Sequence, residues 1–262
     1  MDEFELIAAL TARFQRSAQV GPPWVDIGDD AAVLHPDARP LVVSVDASVE
    51  GVHFSRSFAT AHDIGFRALM AAASDLAAMG AEAQSALLAL IIAKGTPPEW
   101  LLALADGYAE AAAACGLRVV GGNVSRGDAV SMTTTVLGRV PEGVTPLQRR
   151  GAQVGDDVYV GGALGSAALG LAAIQAGAEA ELSASVERWR RPRARLQLGA
   201  ALRGVATSAI DLSDGLLQDL AHLAEASRVG LELTLSAIPV PDGFVTQCTR
   251  LGLAPSETVL TG

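Results

Sequence analysis

The chain has 262 residues, half of them hydrophobic and only 18% charged. That balance excludes general disorder and allows a core to form without disulfides or metals as staples. Nineteen Lys and Arg against 29 Asp and Glu leave a formal charge of −10, which excludes a broad basic face for nucleic acid.

Residues 3–16 carry apolar positions at helical spacing and predict a first helix, followed by a loop at Gly21-Pro22-Pro23. Leu41 to Asp46 reads as a buried strand ending in a carboxylate. Residues 61–80 predict an Ala-rich helix stopped by Gly80, and Ala86–Ala93 a second buried strand. Pro97-Pro98 opens a helix that runs to Cys115 and stops at Gly116. Leu117–Val120 predicts a strand broken by Gly121-Gly122-Asn123, and Val130–Gly138 a Thr-rich, antiparallel one. The Pro-, Gly- and Arg-rich stretch 141–155 predicts a boundary between two domains, 1–145 and 146–262. Beyond it the pattern predicts a strand at 157–160, a helix to about Gly177 and a helix over 185–203. A strand at 206–212, a helix over 214–227 and a strand at 231–235 follow. The expected class is α+β or α/β in two domains.

Cys115 and Cys248 lie far apart with no CxxC spacing, which fits neither a zinc site nor a disulfide framework and suits a reducing cytoplasm. The first residues, Met1 to Glu5, are acidic where a signal peptide is basic. The longest apolar run, Ala86 to Ala93, is far short of the roughly 20 residues of a membrane helix, so no membrane partner is expected.

Lys94 is the only lysine, and no Walker-type loop surrounds it. What remains is a set of carboxylates in apolar settings. Asp29-Asp30 sits between Gly28 and an apolar run, as a turn or a ligand pair. Asp75 interrupts a helix that is apolar almost all round, where an unpaired carboxylate costs several kcal/mol, so an arginine such as Arg67, a helix end or a metal has to answer it. Asp211-Leu212-Ser213-Asp214-Gly215 places two acids and a hydroxyl where a strand turns into a helix; an N-cap at Ser213 or Asp214 explains only one of them. Asp30, Asp46, Asp75, Asp211 and Asp214 form a hard-oxygen set without Cys or His, which suits Mg²⁺ rather than zinc. Two glycine turns, Gly121-Gly122-Asn123 and Gly161 to Ser166, either approach a ligand or simply pack a strand on a helix. The run Arg190-Arg191-Arg193-Arg195 reads as a solvated helix face.

Six stretches then fall in one order: Ile27 to Leu34, Val45 to Phe54, Ser74 to Ala81, Gly121 to Asn123, Arg149 to Asp156, and Ala209 to Leu216. In that order they resemble thiamine-monophosphate kinases. The resemblance implies the aminoimidazole-ribonucleotide-synthetase-like fold, with N-terminal domains of a homodimer pairing into a shared β-barrel. It also implies direct transfer of the γ-phosphate of ATP to thiamine monophosphate. By that likeness Asp30, Ser44, Val45, Asp46, Asp75, Asn123, Asp211 and Asp214 would hold Mg²⁺. Gly122, Asn123, Arg149, Ser213 and Tyr108 would contact ATP, and His53 the thiamine phosphate. Two departures stand out. The family usually has Asp where this chain has Asn123, and its Gly-Gly-Glu-Asp-Tyr-Glu-Leu motif would begin where the sequence ends, so the C-terminal domain is expected to be incomplete relative to the family. The other activities open to this fold are a sister ATP-dependent enzyme and a catalytically silent nucleotide-binding remnant.

Overall fold

The computed structural model describes residues 2–18 and 21–261; Met1, Gln19, Val20 and Gly262 lie outside the described residues. Helix α1 (Glu3–Ser17) starts at a reciprocal cap, in which Asp2 accepts the Glu5 N–H at 2.8 Å and Glu5 accepts the Asp2 N–H at 2.9 Å. Its Leu6, Leu10 and Phe14 repeat every fourth residue and are buried. Four strands follow in one sheet: β1 (Leu41–Val49), β2 (Glu82–Ala93), β3 (Arg118–Gly127) and β4 (Ser131–Arg139), in the order β1-β4-β2-β3. β4 runs antiparallel to both β1 and β2, as the Thr-rich pattern predicts, while β2 and β3 are parallel.

Helices α2 (Ala61–Ala78) and α3 (Pro98–Cys115) cover one face of the sheet. Thr60 caps α2 by accepting the Asp63 N–H at 3.2 Å, and Gly116 ends α3 at φ +67°. The two helices touch backbone to backbone. A Cβ at Gly65 would lie 1.9 Å from the Leu104 carbonyl oxygen, and one at Gly107 would lie 1.8 Å from the His62 carbonyl oxygen. Only glycine permits that approach, which sets how closely α2 and α3 pack.

β1 is not the buried strand that its apolar run predicts. It is an edge strand whose Leu41, Val43 and Val45 are 47%, 54% and 60% exposed, because no helix covers their face of the sheet. It also continues to Val49, so Asp46 lies in mid-strand rather than at its end. Gly121-Gly122-Asn123 does not break β3. The strand takes up an extra residue at Val120, where its pairing with β2 shifts, and continues to Gly127. Gly122 has φ +159°, and a Cβ there would meet the Leu88 carbonyl oxygen at 1.9 Å, so the glycine serves close strand approach.

Beyond Val140 come α4 (Ser166–Gln175), α5 (Ser183–Arg190), α6 (Leu196–Leu202), α7 (Leu216–Ser227), α8 (Phe244–Arg250) and α9 (Pro255–Thr261), with a short 3-10 turn at Leu235–Ala237. The helix expected over 185–203 is two, α5 and α6, interrupted around Pro192, whose ring and missing N–H oppose a continuous helix. The strands expected at 157–160, 206–212 and 231–235 make no ladder among the described residues. β-Propensity reports a fit to a paired, half-buried surface, and those segments have no aligned partner here.

The main hydrophobic core runs from α1, α2, α3 and the sheet into Ala173 and Ile174 of α4 and Val186 and Trp189 of α5. A smaller cluster joins Leu169 of α4, Phe244 and Cys248 of α8 and Val259 of α9. Of the arginine run, Arg193 and Arg195 are exposed as the solvated-face reading expects, while Arg190 and Arg191 are partly buried and paired. Arg191 stacks on Phe66 with its guanidinium carbon 3.7 Å from the ring centre and pairs with Glu110. Arg67 of α2 donates to the Trp189 carbonyl and lies 4.4 Å from the centre of that indole ring. Burial pulls the Arg67 guanidinium down to about 10. No helix among the described residues is long and apolar enough to cross a membrane.

Candidate active site

Ser44 and Asp46 alternate on β1, so both side chains leave the sheet toward α2. In the last turn of that helix stands Asp75, half-buried, and Ser44 Oγ donates to its Oδ2. A third carboxylate, Asp211, arrives from the segment before α7. That segment is tied back by the Ala209 N–H, which donates to the Gln148 carbonyl at 2.9 Å, immediately before Arg149. Burial pushes the Asp75 carboxyl above its ordinary value, and the Asp211 and Asp46 carboxylates push the same way. The Ser44 hydrogen bond and the Arg149 charge pull it down. Carboxylates from β1 and the α7 approach and one arginine thus act on the Asp75 carboxyl of α2. Arg67, the arginine on the same helix, does not answer Asp75: its guanidinium is turned to Trp189.

Ser213 and Asp214 are exposed at the start of α7, and neither caps it. The N-cap is Gly215, at φ +112° and without a side-chain hydrogen bond. Both N–H groups instead donate to Oδ2 of Asp219, at 2.9 and 3.2 Å, and Gln218 Nε2 donates to Asp214 Oδ2 at 3.0 Å. Asp219 is buried, and sequence reasoning passes over it because an acid in a helix's first turns looks ordinary there.

The other candidate residues are more dispersed. Asp30 is exposed in a loop pinned by the Val25–Val33 backbone pair and donates its N–H to Asp29 Oδ1 at 2.8 Å. His53 is exposed just after β1, and its Nδ1 accepts the Val49 N–H at 3.2 Å, so its Nε2 faces outward. Gly122 and Asn123 are exposed on β3, separated from β1 by β4 and β2. Val45 points its side chain to the uncovered face, so only its carbonyl oxygen can ligate a cation. The second glycine turn is a packing device: a Cβ at Gly165 would meet the Phe244 ring at 2.4 Å.

Tyr108 is not at the surface of the site. It is 0% exposed, stands edge-on to Phe14 at 5.7 Å, and donates its hydroxyl to Thr134 Oγ1 at 3.3 Å. Burial pushes its phenol well above the usual range. Thr134 is the cross-strand neighbour of Asp46, so Tyr108 supports the carboxylates from beneath. Tyr108→Phe is accordingly expected to lower stability by about 1 kcal/mol and to leave the KM for ATP within about twofold. A nucleotide contact would instead show as a larger rise in that KM, read from initial rates at varied ATP.

Could these residues take Mg²⁺? Among the described residues no three acidic or imidazole side chains already close into a metal cage. Mg²⁺ does not require one: it keeps several waters and binds through one or two carboxylates plus substrate phosphates. The donor set of Ser44, Asp46, Asp75 and Asp211 is all hard oxygen, mutually repelling and short of cations, and so fits Mg²⁺ carried with a polyphosphate.

Comparison with known proteins places the chain in a family. The N-terminal domain of the AIR synthase related proteins matches residues 28–140, and their C-terminal domain matches residues 153–255. The thiamine-monophosphate kinase of Salmonella typhimurium is 38% identical over 248 residues, covering 93% of this chain and 74% of that one. The chain belongs to the AIR synthase related proteins and, within them, to the thiamine-monophosphate kinase family. A crystal structure of the family's member from Stenotrophomonas maltophilia superposes with a TM-score of 0.86 at 36% identity, over 100% of this chain and 83% of that one. Another, described as AaThiL complexed with AMPPCP and TMP, superposes with a TM-score of 0.81 at 29% identity, over 99% of this chain and 81% of that one. Of the positions that the thiamine-monophosphate kinase likeness picks out, Ser44 is hydrogen-bonded to Asp75, and the charges of Asp46, Asp211 and Arg149 act on that carboxyl.

Proposed function

We propose that this chain transfers the γ-phosphoryl group of ATP to thiamine monophosphate, giving thiamine diphosphate and ADP. The observation that carries the reading is the half-buried Asp75 carboxyl, bonded to Ser44 and acted on by the charges of Asp46 and Asp211, in a chain of the thiamine-monophosphate kinase family. A relative of the same fold held with the ATP analogue AMPPCP and TMP supports both substrates.

In this reading Asp30, Ser44, Val45, Asp46, Asp75, Asn123, Asp211 and Asp214 hold Mg²⁺, which when bound neutralises phosphate charge. Gly122, Asn123, Arg149 and Ser213 contact ATP, and His53 contacts the thiamine phosphate. A phosphate oxygen of thiamine monophosphate forms the new bond to the γ-phosphorus, while the bond from that phosphorus to the oxygen bridging the β-phosphate breaks and ADP leaves. The attacking oxygen is already ionised near pH 7, so no side chain has to remove a proton. The work left to the chain is to orient two anions against each other, and the exposed Arg149 guanidinium and Ser213 hydroxyl suit that task.

Residues 1–145 would form the ATP-binding and dimerising domain and 146–262 the C-terminal domain, a division supported by the separate matches at 28–140 and 153–255. The uncovered row Leu41, Val43 and Val45 supports a homodimer in which two sheets close into a barrel and remove that apolar surface from water. The acidic balance disfavours nucleic acid as a partner. Two unpaired, buried cysteines suit the cytoplasm.

The deciding experiment is thiamine diphosphate formation from ATP, Mg²⁺ and thiamine monophosphate, with free thiamine as the control acceptor. Product from the monophosphate alone is expected. No product, or product from free thiamine, would overturn the reading.

A further inference from the structure

Helix α7 touches the site at both ends. Near its start is Asp219, the one acidic side chain among the described residues that is buried, at 3% exposure. It is met by backbone donors: the N–H groups of Ser213 and Asp214 both point at its Oδ2, at 2.9 and 3.2 Å. A carboxylate taken out of water without a cation is costly unless its oxygens are hydrogen-bonded, so this side chain has reason to hold those two peptides. Asp219 reaches back past Gly215, whose positive φ turns the chain so that the Ser213 and Asp214 side chains stay exposed while their N–H groups face inward.

At the far end Ser227 uses its hydroxyl to capacity. Oγ accepts the Gly151 and Ala152 N–H groups, both at 3.1 Å, and donates to the Arg149 carbonyl at 2.9 Å. The loop is tight enough that a Cβ at Gly151 would meet the Thr207 carbonyl oxygen at 2.4 Å. One hydroxyl therefore fixes the peptide on which Arg149 stands.

We infer that Asp219 and Ser227 are positioning residues for the nucleotide, with α7 as the rigid spacer between them. Asp219 sets the Ser213–Asp214 peptide, Ser227 sets the Arg149 loop, and the helix fixes the two clasps about 12 Å apart along its axis, the rise of the eight residues between them at 1.5 Å each. Two loops that would otherwise move independently are thereby referred to one element. Phosphoryl transfer gains most from such fixing, since a misplacement of about 1 Å can cost on the order of 100-fold in rate. The inference rests on the reading above that Ser213, Asp214 and Arg149 meet ATP and its metal.

The test compares three single variants with the parent chain, using calorimetric binding of a non-hydrolysable ATP analogue with Mg²⁺ alongside steady-state kinetics. Asp219→Leu removes the acceptor at similar size. Asp219→Asn keeps an oxygen that can stand where Oδ2 stands, and Ser227→Ala removes the other clasp. Expected for Asp219→Leu is weaker analogue binding and a higher KM for ATP, each by about tenfold, with the KM for thiamine monophosphate within about twofold. Asp219→Asn should recover most of that loss, and Ser227→Ala should weaken analogue binding about threefold. A purely structural role would lower the melting temperature without separating the two substrates or being rescued by asparagine. Parent chain that binds no analogue would sink the proposed function itself. Parent that binds, with folded Asp219→Leu or Ser227→Ala binding equally well, would overturn this inference and leave that function standing. Should Asp219→Leu fail to fold, Ser227→Ala decides alone: unchanged analogue binding overturns the inference, and the expected weakening supports it.

Discussion

Asp75→Asn is expected to abolish turnover, lowering kcat/KM by about 1,000-fold or more, while leaving the metal-free chain at least as stable as its parent. The two effects share one cause. Asp75 faces Asp46 and Asp211 from a half-buried position, so its ionised form is held at a cost that a bound cation would offset. Because the folded carboxyl sits above the ordinary 3.8, the folded state binds the proton more tightly than the unfolded one. The stability cost is therefore absent below that ordinary value, grows as pH rises through the window up to the folded value, and persists at neutral pH. Asparagine keeps the shape and can still accept from Ser44, but it carries no charge to repel. Since the group is only half-buried, the gain is modest, roughly 2 °C in Tm near pH 7 without Mg²⁺, and it should vanish near pH 3. Melting curves at the two pH values and initial rates check both halves. An Asp75→Asn chain that melts well below its parent at pH 7 without metal would show that this carboxylate is not held against electrostatic strain.

Gly107→Ala is the substitution expected to damage the fold most for the fewest atoms. The added methyl would sit 1.8 Å from the His62 carbonyl oxygen and 2.6 Å from its carbon, and both belong to helix backbone that cannot swing aside. α2 and α3 would have to separate, unseating Leu69, Leu76 and Leu104, which are all fully enclosed between them and the sheet. A loss of about 2–4 kcal/mol is expected. Gly230→Ala is the matched control, since a methyl there has open space around it. Urea unfolding followed by circular dichroism measures both. Equal midpoints would show that the helices are not in backbone contact. Because α2 carries Asp75, a Gly107→Ala chain that still folds should also lose activity, through geometry rather than chemistry.

The sequence carried the N-terminal half well because its signals are local. Period, proline and glycine place α1, α2, α3 and β4 close to where they stand, and the buried setting of Asp75 follows from an apolar helix interrupted by one acid. It misjudged what depends on partners. An apolar run cannot distinguish a strand covered on both faces from an edge strand with one face open, so β1 reads as buried. Strand-like composition at 157–160, 206–212 and 231–235 says nothing about whether a neighbour is in register. At the site, motif order singles out Ser44, Asp46, Asp75, Arg149 and Asp211; Ser44 bonds to Asp75, and the other three charges act on its carboxyl. It cannot reveal that Tyr108 is enclosed, nor that Asp219 and Ser227 hold the loops beside them, because those facts arise from contacts between segments and not from residue type.

The main hydrophobic core has a consequence for how the molecule comes apart. It does not end where the first matched domain ends, at residue 140: Val186 and Trp189 lie in the same cluster as Leu69 and Leu104, and Arg67 clasps Trp189 across that junction. Two modules by ancestry are thus one unit in energy over α1 to α5. Unfolding should then proceed with α4 and α5 departing together with the sheet, while α8 and α9, whose buried residues belong to the small cluster around Phe244 and Cys248, are the part expected to open first.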